Sequence, residues 1–242
     1  MLVKMDLLGI IRYAIPLGKG GSLEYLYHLT TQGARAITES LRIPYEEIQV
    51  PTRNQIMIAN DYFHRISTIN TQMSFDNWIE KNEFNEVFFT TYFHKSTGSR
   101  RNPEQTGKFM SATCLEFENG SHSDPDVIFM YEKPNNGRFL YCLEVFNGHD
   151  TKRVIKQLKN LLSAVQQGLP TKKHNHNKDS RILSTFEHES NMQAVIKRLA
   201  EDITLPKGVE KYLFFNLAEK VHQNFGKNWI DLQNKFYDLA EF

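Results

Sequence analysis

The 242-residue chain carries 29 Lys and Arg against 28 Asp and Glu, a formal net charge of +1, so the molecule as a whole does not advertise a polyanion partner. Two cysteines, Cys114 and Cys142, exclude a disulfide framework or a zinc-finger spacing and predict a reduced, cytoplasmic chain. No apolar run approaches the roughly 18 residues that would span a bilayer, so no membrane insertion is expected. The apolar start, MLVKMDLLGIIRYAIPLGKGG, is interrupted by Lys4, Asp6 and Arg12 and lacks a small-residue cleavage pattern, so it does not read as a secretory signal.

In chain order, Ile10–Ile15 and Leu23–Leu29 are short apolar runs around a Gly18-Lys19-Gly20-Gly21 turn. A helix over TTQGARAITESLRI follows, with Thr30 or Thr31 as cap. Ribbon plus helix reads either as the wing end of a winged helix, with Lys19 reaching a phosphate, or as a peripheral hairpin. Pro44 and Pro51 bracket a connector, giving an expected division into a segment 1–50 and a main domain 51–242. The spacing predicts one helix from Arg53 to about Gln72 and another over Ser74–Phe84, with Glu80 and Glu83 on one face. Glu86–Tyr92 reads as a strand. His94–Lys108 is a basic loop whose Lys95, Arg100, Arg101 and Lys108 suit either solvent or phosphate contact. Phe109–Phe117 is a further expected strand.

The centre of the pattern is Ser123–Gly148. Two runs rich in β-branched and aromatic residues, Val127–Tyr131 and Phe139–Val145, flank a turn with Asn136-Gly137 at its tip, the strongest local hairpin signal. The end of the second strand returns beside the start of the first, so Asp126 and Glu144 can face one point. Glu144 interrupts an apolar strand, where an ionised carboxylate is costly unless a cation neutralises it. Two such carboxylates make an oxygen-ligand site for Mg²⁺ or a similar hard cation; a strand-end salt bridge with Arg138 or a nearby Lys serves equally.

An amphipathic helix follows over DTKRVIKQLKNLLSAVQQG, with Lys152, Arg153, Lys156 and Lys159 on its basic face. Thr171–Lys178 is a polar basic loop including Lys172 and Lys173, and its His174 and His176 read as loop residues. Arg181–Phe186 is a strand, Glu189–Glu201 a helix, Val209–Leu217 a buried strand and Trp229–Phe242 a last amphipathic helix. This order predicts an α/β or α+β fold: a mixed central sheet flanked by helices.

The acidic centre, D-P-D at 124–126 and L-E-V at 143–145 before a lysine-bearing helix, is similar to the PD-(D/E)xK nuclease core. It resembles more closely the replication-relaxation family, including plasmid mobilisation relaxases of the MobC type. Tyr27-His28-Leu29-Thr30-Thr31-Gln32-Gly33 matches that family's Y-x-LT-x-x-G, Asp124-Pro125-Asp126-Val127 its PD strand, Leu143–Gly148 its LEV-x-x-G, and Leu213-Phe214-Phe215 its closing strand. The resemblance implies a restriction-endonuclease-like domain behind a winged-helix-like segment. It further implies a metal-dependent nickase that opens one DNA strand at a plasmid transfer origin, with Mg²⁺ or Mn²⁺ on Asp126 and Glu144 and an upstream Glu83 or Glu80. The family's Lys after the Glu is Phe146 here: either Lys156 or Lys159 of the following helix reaches back in its place, or the site has lost part of its chemistry. The resemblance also implies DNA contacts from Lys19, Lys95, Arg100, Arg101, Lys108, Lys152, Arg153, Lys172 and Lys173, and an accessory mobilisation protein and a coupling ATPase as partners. The alternative is a non-catalytic DNA-binding or replication-initiation factor on the same scaffold.

Overall fold

The computed structural model describes residues 1–11, 25–45, 48, 50, 62–93, 111–134 and 137–241. Two compact units divide at Phe63, later than the boundary expected at residue 50. In the first unit, β1 (Leu8–Ile11) pairs antiparallel with β2 (Leu26–Leu29), and α1 (Thr31–Leu41) follows. Thr30 caps α1, its hydroxyl accepting from the Gly33 N–H at 3.0 Å and donating to the Asp6 carbonyl. A Cβ at Gly33 would stand 2.1 Å from the Leu7 carbonyl oxygen, so this close passage of helix past strand admits only glycine. The expected helix is present, and a ribbon forms from the described ends of the two expected runs; residues 12–24, with the Gly18–Gly21 turn and Lys19, lie outside the described residues.

The second unit is built on a seven-stranded mixed sheet, in order β11-β10-β9-β8-β7-β6-β3. Its centre is the antiparallel hairpin of β6 (Val127–Lys133) and β7 (Gly137–Phe146), in the register Val127 to Leu143 through Lys133 to Gly137. β3 (Asn85–Thr91) adds antiparallel to β6. On the other side β8 (Arg181–Phe186) and β9 (Leu213–Leu217) run parallel to β7.

Parallel neighbours require crossovers, supplied by α3 (Thr151–Gln166) and α5 (Glu189–Ala200). Successive crossovers of one hand in one direction put both helices on one face, where Val154, Leu158, Leu161, Met192, Val195 and Ile196 pack with Ile128, Met130, Leu140, Cys142 and Phe146. The opposite face is aromatic: Phe75, Trp78 and Ile79 of α2 (Tyr62–Lys81) cover Phe129, Tyr131 and Tyr141. Val221 of α6 (Ala218–Gln223) joins them. No helix among the described residues is long and apolar enough to cross a membrane.

Several expectations are corrected. The two helices expected either side of Ser74 are one: the Ser74 hydroxyl donates back to the Asn70 carbonyl at 2.9 Å and to the His222 carbonyl at 3.1 Å instead of capping a new helix. The part of that expected helix over 53–61 lies outside the described residues. The end of the strand expected at Phe109–Phe117 forms β4 (Leu115–Glu116), which among the described residues pairs with β5 (His122–Ser123), apart from the main sheet; positions 109 and 110 lie outside the described residues. The loop expected at Thr171–Lys178 begins inside a short helix, α4 (Leu169–Lys173). Val209–Lys211 is a 3₁₀ turn ahead of β9.

The terminal segment is not a helix but two short strands, β10 (Trp229–Ile230) and β11 (Phe236–Tyr237). Asp231 imposes the reversal, because its carboxylate accepts from the backbone N–H groups of Gln233 and Lys235 and from the Tyr237 hydroxyl, at 2.8, 3.0 and 2.9 Å. Asn234 turns the chain at φ 60°. Local hydrogen bonding by a carboxylate outcompetes the helical periodicity of Ile230, Phe236 and Leu239.

Candidate functional site

Asp126 immediately precedes β6 and, one step beyond the Val127–Leu143 pair, stands across from Glu144. Both side chains leave the sheet on the side of α3 and α5, because side chains alternate and Ile128, Cys142 and Phe146 lie there. The two acids expected to converge therefore do so. Asp126 is tightly held: its Oδ2 accepts from the Val145 N–H at 2.7 Å and its Oδ1 faces His64 Nε2 at 2.8 Å. The other ring nitrogen, Nδ1, lies 3.2 Å from Asn147 Oδ1. Both ring nitrogens are thus engaged, one by the carboxylate and the other by the amide side chain. His64 sits in the first turn of α2, on the opposite side of the sheet from α3, and reaches around the ends of the strands to orient Asp126.

Glu144 is 5% exposed. Burial first, then the Asp126 carboxylate and a hydrogen bond with it, then Asp124, push the Glu144 carboxyl well above the usual carboxylate range; Arg153 partly offsets them. In the adjacent parallel strand Ser184 stands level with Glu144, fully buried, its hydroxyl without a hydrogen-bond partner among the described residues. An ionised Glu144 would therefore stand buried against a second carboxylate, with Arg153 the cation that partly offsets it.

Comparison with protein-family models, with curated proteins and with solved structures returns no match.

The upstream glutamates do not join the pair. Glu80 is near the C-terminus of α2 and Glu83 just beyond it at φ 56°, both exposed. They stand some 16–19 residues from His64, roughly 25 Å along a helix. They lie by the start of β3, and Asn85 of that strand pairs with Glu132 whereas Thr91 pairs with Val127. The acids are at the other end of the sheet. Lys159 is also elsewhere, ion-paired with Asp202 and donating to the Thr204 hydroxyl at 3.3 Å. Lys156 is exposed on α3. The cation that acts on Glu144 is Arg153, whose backbone N–H is capped by Asp150 at 3.0 Å.

Phe146, at the position of the expected lysine, is buried in the helix-side core against Phe186, ring centroids 5.0 Å apart. Of the residues expected to touch DNA, Lys152 and Lys172 are exposed on α3 and α4. The Lys173 ammonium donates to the Ala112 and Cys114 carbonyls at 2.6 and 2.7 Å, tying α4 to the segment before β4. Lys95, Arg100, Arg101 and Lys108 lie outside the described residues.

Among the described residues no three His, Cys, Asp or Glu side chains are grouped to hold a metal ion. The donor chemistry of the pair nonetheless fits a hard divalent cation. Mg²⁺ is commonly held by one or two carboxylates with waters and a substrate phosphate completing its shell. A buried Glu144 crowded by like charge is the arrangement such a cation would relieve. His64 is the residue that sequence reasoning missed. Its partner lies 62 positions away, and no local spacing marks it.

Proposed function

We propose that the chain is a metal-dependent DNA strand-nicking relaxase of the replication-relaxation type, a restriction-endonuclease-like domain behind a winged-helix-like segment, acting at a plasmid transfer origin in the cytoplasm. The observation that carries this reading is the convergence of Asp126 with the buried Glu144 at the end of the central hairpin. Mg²⁺ or Mn²⁺ on Asp126 and Glu144 would supply Lewis-acid polarisation of a phosphodiester and a lowered pKa for bound water. The chain's own contribution is orientation. His64 and the Val145 N–H fix Asp126, and the β7 backbone fixes Glu144. Arg153 and the exposed Lys152 and Lys156 line the first two turns of α3, where they would offset phosphate charge. An accessory mobilisation protein and a coupling ATPase are the partners this reading entails.

The test uses supercoiled plasmid carrying a transfer origin, the full chain and Mn²⁺, with relaxed circles as readout. Nicking by the wild type that disappears in Glu144→Ala and Asp126→Ala, with DNA binding retained, supports the enzyme. DNA binding by the wild type without relaxed circles supports a second reading, a non-catalytic DNA-binding or replication-initiation factor. Two observations favour that alternative: Phe146 fills the lysine position with a core side chain, and Lys159 is committed to Asp202.

A further inference from the structure

Midway along β8 two polar side chains interrupt an apolar strand, one on each face of the sheet. Ser184 lies on the side of α3 and α5 with Ile182 and Phe186, and Thr185 on the aromatic side with Leu183. Both are fully buried. Thr185 is engaged, since its hydroxyl donates to the Glu144 carbonyl at 3.4 Å. Ser184 is not: among the described residues its hydroxyl makes no hydrogen bond. A hydroxyl taken out of water without a partner is a loss that alanine in its place would avoid.

Ser184 is level with Glu144 of the neighbouring parallel strand, and Glu144 leaves the sheet on the same side, that of Cys142 and Phe146. Adjacent strands stand roughly 4.8 Å apart, so hydroxyl and carboxyl rise side by side from one row of the sheet. Asp126 extends that row beyond Glu144. The two acids differ in how they are held. Asp126 has a group on each oxygen, His64 Nε2 on Oδ1 and the Val145 N–H on Oδ2. Among the described residues the Glu144 carboxyl has only the hydrogen bond it shares with Asp126. A divalent cation seated on both acids would remove that shared bond. A carboxylate that ligates a metal is itself held by hydrogen bonds, and loss of such a partner weakens metal binding. Ser184 is a buried, unengaged donor at the right level to supply one.

We propose that Ser184 is a positioning residue of the carboxylate pair: with a divalent cation on Asp126 and Glu144, its hydroxyl donates to the Glu144 carboxylate and holds it toward the ion. The inference rests on the cation reading of the pair and on nothing about DNA. Rotation about the single side-chain torsion of serine redirects the hydroxyl oxygen, so the backbone need not move. The hydroxyl left unpaired in the cation-free chain is a group reserved for the loaded one.

The experiment is calorimetric titration of the full chain with Mn²⁺ at one fixed pH, with thermal unfolding of the same proteins in the absence of metal. Ser184→Ala is expected to melt no lower than the wild type, because the hydroxyl it removes has no partner, yet to bind Mn²⁺ about 10–100-fold more weakly. Ser184→Thr keeps a hydroxyl at this position and should bind Mn²⁺ more tightly than Ser184→Ala. A hydroxyl that served packing alone would give the reverse, a lower melting temperature in Ser184→Ala with unchanged affinity. The proposal is overturned if Ser184→Ala binds Mn²⁺ as the wild type does, or if Ser184→Thr binds no better than Ser184→Ala. Glu144→Ala separates this failure from that of the cation reading. Should it abolish Mn²⁺ binding while Ser184→Ala leaves it intact, the cation site stands and Ser184 has no part in it. Should the wild type itself take up no Mn²⁺ at about 10 mM, the cation reading fails and the inference falls with it.

Discussion

Replacing Glu144 by Gln keeps the shape of the side chain and removes its ability to ionise, which isolates the electrostatics of the pair. In the folded chain the carboxyl is raised by burial and by Asp126, so it holds its proton at a pH where the unfolded chain has lost it, above about 4.3. The stabilisation this gives the protonated form is complete below the unfolded value and drains away as pH rises toward the folded one. An ionised carboxylate enclosed without sufficient compensation costs on the order of 1–3 kcal/mol. At this chain length each kcal/mol corresponds to about 2–4 °C in melting temperature, so the wild type should lose roughly 2–12 °C more than Glu144→Gln between pH 5 and pH 8.

Mn²⁺ should restore the wild type at pH 8, by about 2.7 kcal/mol at a hundredfold excess over the dissociation constant. Its affinity should rise with pH because binding displaces the Glu144 proton. Differential scanning fluorimetry at the two pH values, with and without Mn²⁺, gives all four numbers. Parallel pH profiles for wild type and Glu144→Gln, together with equal responses to Mn²⁺, would refute the claim that the pair is a cation site.

Three further outcomes follow from the same geometry. His64→Ala takes the imidazole away from Asp126 Oδ1 and leaves the Val145 N–H on Oδ2, so Mn²⁺ affinity measured by calorimetry should fall about 10–100-fold with little change in fold. Phe146→Ala empties a buried position in the helix-side core and should cost about 3–5 kcal/mol in urea unfolding, a loss that a lysine standing in solvent at the pair would not show. The thiols should be inert: burial, then Asp124, push Cys114 up to about 12, and burial followed by Glu144 raises Cys142 as well. Native protein at pH 8 should therefore react slowly with a disulfide reagent and quickly once denatured.

What the sequence disclosed depended on whether the deciding contact was local. The β6–β7 hairpin, α3, β8 and α5 were legible because turn residues, the Asp150 cap and apolar spacing all act within a few positions. The facing of Asp126 and Glu144 was legible because a hairpin register carries it. The terminal strands were not, since one carboxylate, Asp231, redirects a segment whose apolar spacing is helical. Choosing among upstream acids failed for a geometric reason: α2 is continuous, so Glu80 and Glu83 emerge at the wrong end of the sheet while His64, on the same helix, arrives at the right one. Lys159 looked available on the basic face of α3 until Asp202, 43 positions on, closed against it.

The position of β7, antiparallel to one neighbour and parallel to the other, also bears on how the chain folds. The β6–β7 ribbon closes over a short turn, whereas β8 can dock only after the α3 crossover has formed, a contact of much longer range and correspondingly slower. Until then one flank of β7 is wet. Glu144 meets the Ser184 strand during that late step, so the penalty for stripping water from its carboxylate should fall on the refolding rate. Stopped-flow refolding that slows as the solution is made more alkaline, in the wild type and not in Glu144→Gln, would place the pair's desolvation at the closing of the parallel half of the sheet.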